Sequence, residues 1–168
     1  MNLLLILMSV VFLAIFQFSV LSFFSIWGIV INVFILICIA LAIRRWDEYA
    51  PLWVGIGGLS LDFLNSGQFG LYTLSLGTTY LIIRWLSVRI SILIEKQYLT
   101  AIWVFVGVLY FNIAVGLILL LSGEITNIFS YGLIIIKSQV IHMLLYIPID
   151  YIIKIFYLRK LNKSQINL

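Results

Sequence analysis

Charge is what this chain has least of. Only 10 % of its 168 residues are Asp, Glu, Lys or Arg, where a soluble domain carries about a quarter. Hydrophobic residues make up 64 %. Too little polar surface remains to cover a particle in water, so the composition excludes an ordinary soluble domain and makes the bilayer the solvent. Cysteine is almost absent as well. The single Cys38 excludes an intrachain disulfide, and its apolar setting reports no redox compartment. There is one histidine, His142, with no Cys or His at ligand spacing from it, so no metal-ligand cluster is visible. Gly55-x-Gly57-Gly58 lacks the lysine and the preceding strand that a phosphate loop needs. No nucleophile stands in an elbow motif. These absences argue against an enzyme, and no cofactor is expected. The net charge of +4 is no nucleic-acid footprint, because the basic residues fall between apolar runs. Low-complexity runs and linkers are missing too, so the length fits one domain.

What is present is a succession of apolar segments. They predict helices over about residues 2–21, 26–43, 51–66, 70–92, 98–121 and 128–157, with a kink at Pro148. The first lacks a basic n-region and a small-x-small cleavage site, and is expected to be a retained helix rather than a signal peptide. Residues 158–168 are left as a short basic tail. Six spans put both termini on one side, and the positive-inside rule tests this. Arg44, Arg45, Arg84, Arg89, Lys96, Lys154, Arg159, Lys160 and Lys163 all fall at the inner ends of those spans, and only Lys137 does not. The expectation is therefore an all-α integral membrane protein, a compact six-helix bundle with cytoplasmic termini. Trp46, Trp53, Trp85 and Trp103 are expected at the inner boundary as interfacial indoles.

Residues 51–70 carry the most information. On a helical wheel Pro51, Gly55, Gly58, Asp62, Asn65 and Ser66 form one stripe. Small residues let membrane helices approach closely, and one carboxylate on such a seam marks a polar point. Asp62 reads either as a polar clamp on a neighbouring helix or as an ion, proton or substrate contact. Pairing with Lys137 is one option for it. The next helix repeats the theme with Gly70, Thr73, Gly77, Tyr80 and Arg84, the last able to snorkel to the inner headgroups. Asn112 and Gly116 share a face of the fifth helix. In the sixth, Gln139, His142, Tyr146 and Asp150 form a candidate intramembrane polar face, with Lys137 turned away from it. Packing residues are thus expected at Gly55, Gly58, Asp62, Gly70 and Gly77.

Gly55-x-x-Gly58-Leu59-x-x-Asp62, followed by Gly70-Leu71 at the head of the next helix, resembles the rod shape-determining MreD family of bacterial inner membranes. The end of the chain is similar as well: one polar residue in the last helix, His142, then Pro148, then a basic tail. Trp27-Gly28 stands where the family pattern has a proline, and His142 where it often has Asn. The resemblance implies a non-enzymatic membrane scaffold of the cell-elongation complex that directs lateral peptidoglycan synthesis. It implies membrane lipids, an MreC-like bitopic scaffold and the elongation glycosyltransferase and transpeptidase as partners. The fold it implies is similar to that of the substrate-binding subunits of energy-coupling-factor transporters. A vitamin-type uptake subunit is therefore the alternative, and an outward cleft with convergent polar groups and aromatics would favour it. A proton- or ion-coupled carrier would need Asp62 and His142 on one water-filled route.

Overall fold

The computed structural model describes residues 3–21, 28–44, 49–64, 68–90, 96–124 and 127–166. Helices account for the regular structure of these residues, and no strand occurs among them. The order is α1 (Leu3–Phe16), continued by a π-turn over Gln17–Leu21, then α2 (Val33–Arg44), α3 (Ala50–Leu64), α4 (Leu71–Ile90), α5 (Lys96–Leu121) and α6 (Ile128–Ile166).

Sheer apolarity puts α2 at the centre. Its sequence VFILICIALAIR has no polar face, and a helix apolar all round must be buried all round. Phe34, Ile35, Leu36, Cys38, Ile39, Ala40 and Ala42 are all in the core. Helices α3, α4, α5 and α6 each contact α2, α3 also packs on α1 and α4, and α5 packs on α4 and α6. The core is continued by Val10 and Ala14 of α1, Val54 and Leu61 of α3, Leu76, Tyr80 and Ile83 of α4, and Trp103, Val104 and Val108 of α5.

The outside of the bundle is apolar too. Phe12 is 71 % exposed, Leu81 64 % and Leu144 66 %. Contiguous apolar surface of this kind marks an interaction or membrane face rather than a wet one. Two helical stretches, Thr100–Leu121 and Ile128–Ile149, are long and apolar enough to cross a membrane. The others are shorter or more polar. At ~1.5 Å per residue, α2 and α3 reach only ~18 and ~22 Å against a ~30 Å hydrocarbon core.

Two segment boundaries differ from the sequence expectation. Helix α2 starts at Val33 instead of residue 26, because the chain turns at Gly28 (φ 79°) and Asn32 then caps the helix. Pro148, where a kink is expected, lies inside α6. That same helix runs on to Ile166, so most of the segment taken as a tail is helical. Asn65, Ser66, Trp27 and Trp46 lie outside the described residues.

The expected seams are also rotated. In α3 the buried side is Ala50, Val54, Gly57, Gly58, Leu61 and Asp62, while Pro51 is exposed. Trp103 is only 3 % exposed and belongs to the core, whereas Trp85 is exposed. Arg84 is exposed near the C-terminal end of α4. Its guanidinium donates to the hydroxyl of Tyr80, one turn back along α4.

Candidate functional site

The polar chemistry collects at the N-termini of α4 and α2. A helix start leaves backbone N–H groups without intrahelical partners, and in a low-dielectric interior each must be satisfied by something else. Side chains from other helices help satisfy both starts.

At α4 the partner is Asp62 of α3. Its Oδ1 accepts the Tyr72 N–H at 2.8 Å, and its Oδ2 accepts the Thr73 N–H at 3.1 Å. The Thr73 hydroxyl also donates to Oδ2. Asp62 is 4 % exposed. A negative group at a helix N-terminus gains both the hydrogen bonds and the helix dipole. Two glycines make this junction fit. A Cβ on Gly58 would stand 2.5 Å from the Thr73 Cα, so α3 and α4 touch backbone to backbone there. Gly70 takes φ 93°, a left-handed conformation that turns the chain into α4. A Cβ on Gly70 would meet nothing within 4 Å, so its role is conformational rather than packing. Gly55 and Gly77 likewise have open space where a Cβ would go and are not packing residues. The close approaches that sequence reading missed are Gly57 against the Phe34 ring and Gly107 against Ile39. Neither carries a local signal, because the neighbour that makes it necessary is on another helix. Lys137 is exposed and is not among the partners of Asp62.

At α2 three side chains share the task. The Asn32 Oδ1 accepts the Phe34 N–H at 3.1 Å, an ordinary N-cap. The Val33 N–H goes to Gln17 Oε1 at 3.1 Å, from the π-turn after α1. The Asn32 N–H goes to His142 Nε2 of α6 at 3.1 Å. Since Nε2 accepts, the ring hydrogen sits on Nδ1, which lies 2.7 Å from the Ser138 carbonyl. The chain of bonds continues to α5, where Asn112 Nδ2 donates to Ser138 Oγ at 3.2 Å. The Tyr131 hydroxyl donates to the Asn112 carbonyl at 3.0 Å, its ring lying where a Cβ on Gly116 would collide. Gln17, Ser138 and His142 are all buried. The Asn32 cap was legible as an amide just before an apolar run. Gln17 was legible only as a lone amide in an apolar helix.

The polar face expected on α6 is therefore divided. His142 serves the start of α2. Gln139 instead donates to the Phe105 carbonyl of α5 at 2.7 Å, and its Oε1 has no partner among the described residues. Tyr146 is buried in the core, and the side chain of Asp150 lies outside the described residues. No group of three or more His, Cys, Asp or Glu that could hold a metal occurs among the described residues.

Beside the α2 start lies a cleft of about 210 Å³. Its polar wall is Asn32, Asn112, Ser138 and His142, and the rings of Tyr72 and Phe111 line it as well. Asp62 is not in its wall, so the cleft does not join Asp62 to His142. Searches against protein-family models, curated proteins and solved structures find no match to this chain.

Proposed function

We propose that the chain is a six-span, non-enzymatic membrane scaffold of the MreD type, working in the cell-elongation complex of a bacterial inner membrane. The observation that carries this reading is the α3–α4 junction. Three separate pieces of sequence support the resemblance: the Gly58 spacing, Asp62, and Gly70-Leu71. They meet in one contact, with Gly58 against Thr73, Asp62 on the Tyr72 and Thr73 N–H groups, and Gly70 making the turn. A resemblance whose letters form one physical device is stronger than one of scattered letters. The device is also structural, as a scaffold would have it: Asp62 spends its acceptors inside the bundle.

The six-span topology draws on the same reading. Two helices are long enough to cross alone. The shorter α2 and α3 fit a bundle whose neighbours bury their ends, since irregular backbone at membrane depth is tolerated where protein surrounds it. At the start of α2 the side-chain caps supply that cover. The distribution of basic residues supports cytoplasmic termini.

The cleft favours a second reading, a small-molecule uptake subunit. It has the convergent amides, imidazole and aromatics that such a site needs. At about 210 Å³ it falls below the usual ~300–1,000 Å³ of drug-sized sites. Asn112, Ser138 and His142 also spend hydrogen bonds on one another or on backbone. That is why the scaffold reading stands first. Affinity purification from native membranes separates the two. Co-isolation of a bitopic MreC-like protein is the expected result, and recovery with a soluble ATPase pair would transfer the assignment to the uptake reading.

A further inference from the structure

We propose that the cleft beside the start of α2 binds one uncharged single-ring aromatic molecule that presents a hydrogen-bond acceptor. The inference uses the cleft described above and goes beyond the scaffold reading without requiring uptake, since it names only a ligand class.

Three features define the class. The first is size. A dry protein cavity of ~150 Å³ takes up benzene, so about 210 Å³ accommodates one ring with a small substituent. The second is charge. None of the residues lining the cleft is Asp, Glu, Lys or Arg, and an ion in such a site would be left without a counter-charge. The third is the disposition of its wall. Tyr72 and Phe111 lie with ring centroids 6.5 Å apart and tilted by 31°, a surface suited to a planar ring. Ile35, Val108, Val115 and Ile134 complete an apolar surround.

The acceptor requirement comes from Asn32. Its Oδ1 is used twice, by the Phe34 N–H and by Gln17 Nε2 at 3.4 Å. Its Nδ2 donates to none of the described residues, while Asn32 itself lines the cleft. An amide N–H in an apolar cleft seeks an acceptor, and a ligand carbonyl supplies one.

Benzamide, benzoate and benzamidine test this, because they share ring and size and differ in charge. The full chain in lipid nanodiscs is titrated with each, and the site is located by nuclear Overhauser contacts to the methyl groups of Val115 and Ile134. Benzamide is expected to bind one site per chain, at least about tenfold more tightly than either ion, with contacts to both methyl groups. Ile134→Trp, at an exposed rim position, is expected to abolish binding. The contacts locate the site even if that variant fails to fold. Benzoate or benzamidine binding the cleft as tightly as benzamide would overturn the uncharged class and leave the cleft a ligand site. No saturable benzamide binding, or binding without contacts to those methyls, overturns the inference. The uptake reading falls on a different result, namely that cells lacking the chain lose no uptake.

Discussion

Replacing Asp62 by alanine removes the acceptor from the start of α4. The Tyr72 and Thr73 N–H groups cannot turn to intrahelical partners, because they belong to the first turn. Each buried donor left unsatisfied costs ~1–3 kcal/mol. Two of them give ~2–6 kcal/mol, with the lower end holding if water follows the deleted carboxylate. The Thr73 hydroxyl adds little, since it can rotate to another acceptor. Asp62→Asn keeps one carbonyl oxygen and is expected to cost about half as much. The assay is reversible unfolding in bicelles, read alongside the amount of folded protein in the membrane. Combining Asp62→Ala with Thr73→Val should give a total cost below the sum of the singles, because the two residues share a bond. Asp62→Ala within ~0.5 kcal/mol of wild type, the range of a neutral surface change, would refute the capping argument. Lost function at wild-type stability would instead make Asp62 a direct functional group.

The other expectations concern the same two helix starts and the topology. Gly70→Ala is expected to cost ~1–2 kcal/mol, the penalty for a side chain in the left-handed region, whereas Gly77→Ala, helical and with open space, should be neutral or stabilising by up to ~1 kcal/mol. Both are read by the same unfolding assay, and equal effects would contradict the distinction. His142→Phe should destabilise by ~1–3 kcal/mol by stranding the Asn32 N–H, and amide hydrogen exchange should rise first at Asn32 and Val33. With Cys38 replaced by alanine, Glu124→Cys should react with an impermeant maleimide from outside intact cells and Lys163→Cys only after lysis. Labelling of both from one side would break the six-span topology.

The sequence made the helices legible because apolar length and charge position are local signals. It made Asp62 and His142 legible because a polar residue among apolar ones stands out at any depth. What each of them touches was not legible. Asp62 could have met Lys137 on another helix, and the choice of α4 depends on Gly58 bringing the Thr73 backbone within reach. Gly55 and Gly58 share one stripe, yet of these two glycines only Gly58 makes a close approach, because packing depends on the neighbour's shape as well as on spacing. The start of α2 was misplaced because residues 26–32 are as apolar as the helix that follows. Gly28 and the capping amide Asn32 are the breaking signals there, and hydropathy does not register either. Asn32 meets His142 across 110 residues of chain, a distance no periodicity argument spans.

The role proposed for this chain is in cell elongation and not uptake. Depletion in its native host, with cell width and length recorded by microscopy and small-molecule uptake measured in the same cultures, tests it most directly. The account predicts rounded or widened cells, restored by wild-type chain and not by a fully destabilised Asp62→Ala variant, with uptake unchanged. Rods of normal width that have lost uptake of one compound would contradict it.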